Sequence, residues 1–584
     1  MELLNINSIK IRLIILISLI IVITFGSVIT ISNIGPIYYL LLLIIVPLIF
    51  LSIKQYQRLR TAKLIVNLRK KWGVAESRPR DFYELHEQFK ITQAEIENKY
   101  VLDDRTWNDL DLDSIYARMD GTLTIPGELA LYSILRNPLI DAEELQKRSR
   151  VISLFSQDQN IREKCQVPLS KLGKMEDVYH LDILWKDQPS RNKYAFLYKF
   201  LLLLIPIFII FGILNFSWAW FGLGATILCN MVIHYRTKEK IHLHLSSFRY
   251  LGKLIRCAIR LSEIRHPELE DYRTGIEQAL KNVSYIKNKT GLMGREADFI
   301  YEYLNIIFLI EVRAFYSLLA AIEKFERQLK QIVTTIGFVD AMISAASYRA
   351  QLGSFVEPTF LISEPFLKIE EASHPLLKGP VPNTISVESG GVLITGSNMS
   401  GKTTFLKTIG VNAILAQTIN TCLAKEYKAS FFQIKTLIGR KDNVIEGKSY
   451  YLDEINALLR IIKALEKDVP CLCLLDEIFR GTNSVERISA STEVLLYLGR
   501  HNCLIFAATH DLELTKLVKS SYSNFHFLEK ITEEGISFNF KLLKGPSTTR
   551  NAIKLLRHVG YPEEIADAAD SRIQKIKTPS AKSQ

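Results

Sequence analysis

Residues 396–403 read Gly-Ser-Asn-Met-Ser-Gly-Lys-Thr, a loop bracketed by glycines and closed by Lys-Thr. With its flanks it restricts the fold more than any other stretch of this 584-residue chain. Val392-Leu393-Ile394-Thr395 ahead of it reads as a short buried strand. Thr404-Phe405-Leu406-Lys407-Thr408-Ile409 behind it reads as the start of a helix. Strand, glycine loop and helix N-terminus together make an anion site. Backbone N–H groups of Gly396, Ser397, Asn398, Met399, Ser400, Gly401, Lys402, Thr403 and Thr404 wrap phosphates, and the helix dipole favours their charge. In this P-loop pattern Lys402 reaches the β- and γ-phosphates of ATP, and the Thr403 hydroxyl binds Mg²⁺.

Two further strands complete the expected chemistry. Cys471-Leu472-Cys473-Leu474-Leu475 is a continuous apolar run, as a parallel strand covered on both faces requires, and it ends in Asp476-Glu477. Carboxylates at a strand's C-terminal end face the crevice where such sheets bind ligands. Asp476 is expected to hold Mg²⁺ through water, and Glu477 to orient and polarise the attacking water. Cys503-Leu504-Ile505-Phe506-Ala507-Ala508 ends in Thr509-His510-Asp511, which puts His510 in position to sense the γ-phosphate.

The segment from Thr395 to Thr403 resembles the MutS mismatch-repair ATPases. So does Asp476-Glu-Ile-Phe-Arg-Gly-Thr-Asn-Ser484, with Ala508-Thr-His510 after it. Upstream, Ser373-His-Pro-Leu-Leu377 and Val381-Pro-Asn383 match the approach to that family's P-loop. Asp104-Arg-Thr-Trp-Asn-Asp-Leu-Asp111, with Thr122, Thr124 and Gly127, looks like the start of its core domain. The resemblance covers roughly 100–150 and 240–560. It implies an ABC-like α/β ATPase at the C-terminus that works as a homodimer, long lever helices, and DNA as partner. Gly447-Lys-Ser449, with Glu454 five residues on, matches the segment whose serine reaches the partner subunit's nucleotide, so Ser449 is expected to act in trans. A transporter-type Leu-Ser-Gly-Gly-Gln signature is missing between the P-loop and Asp476.

The chain also departs from that family. Asp81-Phe82-Tyr83-Glu84 is similar to the Phe-x-Glu that wedges beside a mispaired base, but only some twenty residues separate it from Asp104. A mismatch-recognition domain of about 100 residues does not fit, and Phe82 and Leu85 read instead as an amphipathic helix packed on the core. There is no room for a full DNA clamp between 156 and 240. Pro380 occupies the position where relatives carry an aromatic residue for adenine, so stacking must come from elsewhere, such as Tyr450 or Tyr451. Ser397 stands where relatives often carry Pro.

Four apolar segments set this chain apart. Residues 13–31 and 37–53 are each long enough for a span of about 20 residues, and 196–214 and 218–233 follow the same pattern. Lys10 and Arg12 precede the first segment, and Lys54, Arg58, Arg60 and Lys63 follow the second. Arg191 and Lys193 precede the third, and Arg236, Lys238 and Lys240 follow the fourth. The linkers 32–36 and 215–217 carry no charge. The positive-inside rule then places both linkers outside and the ATPase in the cytoplasm, in a multi-pass inner-membrane protein that meets the bilayer through four spans.

The expected layout is therefore multidomain. A transmembrane hairpin at 1–62 precedes a MutS-like all-α core at 63–190. A second hairpin at 191–236 precedes lever helices at 237–356, where Phe248, Leu251, Leu254, Ile255, Ala258 and Leu261 repeat at helical spacing. The P-loop ATPase occupies 357–575, and 576–584 is a disordered tail. Net charge is +12, which suits a polyanion or an anionic membrane. The seven cysteines form no CxxC pair, so reduced structural thiols are expected and a zinc site is not. Three outputs stay open: DNA binding, a membrane or envelope motor without DNA, and a nucleotide-gated scaffold.

Overall fold

A computed structural model of the chain describes every residue except 1–5, 35–43, 94–99, 175–181, 186–196, 291–298, 362–363, 398, 440–449, 467, 533–534, 548–555, 558 and 578–584. The chain divides into two compact units. The first comprises Met1–Arg78, Asp120–Leu131 and Val151–Gln351. The second comprises Pro79–Met119, Tyr132–Arg150 and Leu352–Gln584.

The first unit is helical. Helix α1 (Ile6–Ile34) packs against α2 (Ile45–Lys71). Helix α3 (Gln159–Leu172) starts at an Asp158 cap that accepts from the Ile161 N–H at 2.9 Å. Helix α4 (Leu197–Ile213) and α5 (Trp218–Ser262) form a hairpin. Glycines let these two approach. A Cβ on Gly212 would lie 2.9 Å from the Trp220 ring, and one on Gly222 would lie 2.5 Å from Phe208. Helix α5 has 45 residues, so the fourth apolar segment is the opening third of one rod that runs through residue 236 without a break. The expected repeat on Phe248, Leu251, Leu254, Ile255, Ala258 and Leu261 is its buried stripe.

Among the described residues two helices are long and apolar enough to cross a membrane, Ile6–Ser27 and Glu326–Leu352. Their surroundings differ. The apolar window of the first has no residue buried in the protein, whereas 72% of the second is buried. The second is helix α6 (Glu326–Leu352), a core element of the unit.

The second unit carries two sheets. Strands β1 (Thr359–Phe360), β2 (Leu367–Ala372), β3 (Asn383–Val387) and β5 (Glu426–Ala429) form one, in the order β1-β5-β2-β3. The other contains β4 (Gly391–Thr395), β6 (Gln433–Leu437), β7 (Cys471–Asp476), β8 (Cys503–Thr509), β9 (Tyr522–Thr532) and β10 (Gly535–Lys544), in the order β10-β9-β4-β8-β7-β6. From β9 to β6 neighbours are parallel, and β10 returns antiparallel along β9. Strands β4 and β8 are buried along their whole length, as their uninterrupted apolar sequences require. Helix α7 (Lys402–Ile419), helix α8 (Tyr450–Ala464) and helix α9 (Ser484–Leu498) cover the sheets.

Of the segment resembling the start of a core domain, residues 104–111 belong to this unit, whereas Thr122, Thr124 and Gly127 belong to the helical one. Asp103 caps the helix Asp104–Asp109, and Asp109 accepts from the Thr436 hydroxyl and the Ile438 N–H, both at 2.8 Å. That ties the helix to β6 at the sheet edge. Phe82 heads the helix Phe82–Gln93, its ring edge-on to Tyr116 at 5.9 Å, and Leu85 beside it is buried. Phe82 is a packing residue here, as its sequence context indicates.

Candidate active site

The register of the large sheet brings the motifs together. Thr395 pairs with Thr509, and Asp476 with Ala508, so β4, β7 and β8 end side by side. The loops leaving these three ends carry Gly396–Lys402, Glu477 and His510. Sequence separations of more than a hundred residues collapse because the strands are parallel and adjacent.

The phosphate loop is shaped by two glycines. Gly396 has φ 150° and Gly401 φ 108°, a region that a side chain strains. A Cβ at Gly396 would also press on the Ser400 hydroxyl at 2.8 Å. Helix α7 begins at Lys402 with no side-chain cap, so its first N–H groups face the loop. Lys402 is buried and donates to the carbonyls of Gly396 and Ser397, both at 2.9 Å. Burial pushes its ammonium pKa down. The loop's own carbonyls hold a cation suited to a phosphate oxygen. Ser397 has a local partner, because its hydroxyl donates to the Glu529 carboxylate on β9. Asn398 lies outside the described residues.

Thr403 Oγ1 donates to Asp476 Oδ2 at 2.5 Å. The other oxygen, Asp476 Oδ1, is buried and has no hydrogen-bond partner among the described residues. Burial raises the Asp476 pKa. A buried, half-satisfied carboxylate beside a hydroxyl fits a hard divalent cation, which takes oxygen ligands and would offset that desolvation.

Glu477 sits in the left-handed region at φ 52°, a strain of about 1–3 kcal/mol. Its N–H still bonds Ala508 O at 2.9 Å, extending the ladder by one residue. The strain turns the carboxylate across the strand ends to His510, with Oε1 2.5 Å from Nε2, while Arg480 holds Oε2 at 2.7 Å. The His510 hydrogen bond holds the Glu477 pKa down at about 2. Lys402 Nζ also lies 3.3 Å from His510 Nε2. One ring nitrogen cannot donate to Glu477 and accept from Lys402 at once, so the two contacts compete. Neighbouring carboxylates are thus driven apart: Asp476 up by burial, Glu477 down by its partners.

Three more residues brace this edge. Buried Glu454 on α8 accepts from the Phe479 N–H and so pins the turn after Glu477. Arg487 on α9 grips Asp511 with two bonds of 2.8 and 2.7 Å, fixing the loop that carries His510. Asn383 clamps the β10 bulge, donating to Phe540 O at 3.0 Å and accepting from the Leu542 N–H at 2.8 Å. Phe540 on that bulge escapes a sequence reading. It has φ 51° and is 42% exposed, and its ring would come within 3.3 Å of a Cβ at Gly401. Only the bulge turns it toward the P-loop, and strand alternation carries no sign of a bulge. Of the aromatics expected near the nucleotide, Tyr451 packs toward Phe479 at 6.3 Å, and nothing is described of the Tyr450 side chain. Ser449, with Gly447 and Lys448, lies outside the described residues.

Residues 392–577 match MutS domain V. The chain is 33% identical over 207 residues to the DNA mismatch repair protein MutS of Thermus thermophilus, covering 35% of this chain and 25% of that protein. It is 30% identical over 261 residues to the protein of the same name from Thermus aquaticus, covering 44% and 31%. With that of Clostridium kluyveri it shares 30% over 304 residues, covering 49% and 33%. The chain thus spans a quarter to a third of the length of these relatives.

Proposed function

We propose, from the premise that the C-terminal half of this chain is of the MutS family, that the protein is a membrane-anchored ATP hydrolase. It works as a homodimer and couples turnover to DNA binding. The observation that carries the ATPase is the meeting of Lys402, the Thr403–Asp476 pair and the Glu477–His510 pair at one sheet edge.

The P-loop N–H groups and the α7 N-terminus receive the phosphates. Lys402 exchanges the Gly396 and Ser397 carbonyls for β- and γ-phosphate oxygens. Thr403 and Asp476 are the residues that would hold Mg²⁺, whose chemistry here is to neutralise phosphate charge. Glu477, ionised at neutral pH, orients the attacking water. His510 and Arg480 hold it ionised until the γ-phosphate arrives; released from them, it orients the water and takes its proton late. Phe540 offers its exposed face to the base in place of the aromatic that Pro380 lacks.

The membrane reading rests on exposure. Ile14, Val22 and Phe25 on α1, Phe50 on α2, Phe200 and Ile210 on α4, and Phe221 and Leu228 on α5 all face away from the protein. Lone exposed apolar residues are ordinary, but continuous bands of them mark a membrane or protein interface. Basic residues flank each band on the side away from its linker. DNA as partner follows from the relatives, which are named DNA mismatch repair proteins, and from the basic balance of the chain. The unbroken passage of α5 from an apolar band into the helical unit favours a second reading, a motor that acts on its own spans without DNA.

Lys402→Ala is expected to abolish nucleotide binding. Glu477→Gln is expected to bind Mg·ATP and hydrolyse it roughly 10²–10⁴-fold more slowly. Binding and single-turnover assays on detergent-purified protein decide this; turnover by Glu477→Gln at the parent rate removes Glu477 from its role.

A further inference from the structure

Within the helical unit, α2, α3, the distal part of α5 and Lys287 enclose a cleft of about 1400 Å³. That exceeds the roughly 300–1,000 Å³ of small-ligand pockets. Among the described residues two acids line it, and each is already neutralised. Glu163 is held by Arg69 through two bonds of 2.5 and 3.0 Å, and Glu263 by Arg260 at 3.0 Å. Lys164, Lys171, Lys253, Arg256 and Lys287 also line the cleft, with no acidic partner within salt-bridge distance among the described residues. Lys164 and Lys171 are two turns apart on α3, and Lys253 and Arg256 are one turn apart on α5. They form short rows of charge, about 10 Å long on α3. Between the charges the lining is aliphatic, with Val167, Pro168 and Ile259, and among the described residues no aromatic ring lines it.

Rows of unneutralised cations suit a ligand with repeated negative charges better than a single phosphate. A lining without aromatics offers bases no stacking platform, so contact goes to the backbone and is independent of sequence. With α2 and α5 leaving the bilayer along its normal, as the membrane reading has them, lipid headgroups do not reach the cleft. Arg69 lies sixteen residues beyond the apolar end of α2 at Ile53, about 24 Å of helix, and Lys253 lies twenty beyond Ile233, about 30 Å. Both distances exceed the headgroup layer and the ~8 Å screening length. We infer that this cleft binds the phosphodiester backbone of nucleic acid. The inference rests on reading the protein as DNA-coupled, and gives that reading a contact site distant from the P-loop in sequence.

The test is fluorescence anisotropy of full-length protein in detergent, with a labelled single strand of about 30 nucleotides and its duplex, over a salt series. Lys253→Ala/Arg256→Ala and Lys164→Ala/Lys171→Ala are each expected to weaken binding about tenfold or more at low salt. Each should lower the single-strand log–log salt slope by about 1.4, at ~0.7 per phosphate contact. Lys164, Lys171 and Arg256 are exposed, and unchanged DNA-free ATPase confirms that the variants fold. Lys54→Ala/Arg58→Ala, on the membrane flank, should leave DNA affinity unchanged. Parental affinity and slope in both cleft variants overturn the cleft and leave the DNA reading standing. Absence of DNA binding by the parent protein overturns the DNA reading, and the cleft with it.

Discussion

Asp340 shows how one side chain organises the helical unit. It is fully buried on α6 and accepts from the Leu123 N–H at 3.0 Å, the Thr124 N–H at 2.8 Å and the Thr124 hydroxyl at 2.6 Å. A Cβ at Gly127 would overlap its carboxyl, which explains a glycine at that point of a helix. Burial pushes its pKa up to about 6 although these donors favour the charged form. The sign follows from linkage. The folded pKa is raised, so the folded state holds the proton more tightly. That stabilisation is complete below pH ~4 and is lost as pH rises through about 6, a swing of about 3 kcal/mol for a two-unit shift. Urea denaturation of parent and Asp340→Asn at pH 4.5 and pH 7.5 tests this. The parent should lose stability relative to the variant as pH rises, and parallel profiles would show that Asp340 does not titrate in this window. Glu477 is the opposite case, a carboxylate held ionised by His510.

At the level of elements, α5 is the decisive one. Its first sixteen residues are apolar and largely exposed, and its distal stripe is buried among helices that include α3. One of its residues reports on its surroundings. Cys229 is exposed, whereas Cys165, Cys257, Cys422, Cys471, Cys473 and Cys503 are buried. If this part of α5 lies in a bilayer, a water-soluble maleimide should leave Cys229 unlabelled in intact membranes and label it after denaturation in detergent. A water-soluble reagent does not enter the water-free bilayer core, so a thiol there does not meet it. Rapid labelling of Cys229 in intact membranes would place α5 in water. Helix α6 makes the contrast, since it is long and apolar enough for a span while most of its apolar stretch is buried in the protein.

At the scale of the whole molecule the proposed unit of function is the dimer. Each site would draw its P-loop, Asp476 and Glu477 from one subunit and Ser449 from the other. Ser449→Ala is expected to slow hydrolysis with ATP affinity nearly intact. Mixing Ser449→Ala with Lys402→Ala subunits should restore one composite site per heterodimer, with an intact P-loop facing an intact Ser449. Heterodimers that form yet turn over no faster than either parent would refute action in trans.

The P-loop, the strand-end carboxylates and His510 were legible from sequence because each lies where an apolar run stops, and buried parallel strands must be apolar throughout. Of the four apolar segments, the first coincides with a helix long and apolar enough to cross a membrane, the third carries Lys199, and the fourth opens the continuous helix α5. The order of the strands along the sheet was not legible, because parallel neighbours are chosen by packing across the core. Only the register Thr395–Thr509 and Asp476–Ala508 put Lys402, Glu477 and His510 within bonding reach. The turn of Phe540 toward Gly401 depends on a bulge clamped by Asn383, more than 150 residues away. The cleft cations are ordinary helix-surface residues in sequence and become a site only where helices from distant parts of the chain converge. Local pattern records what each residue must be buried from; which distant residues share a cavity is a property of the packed chain.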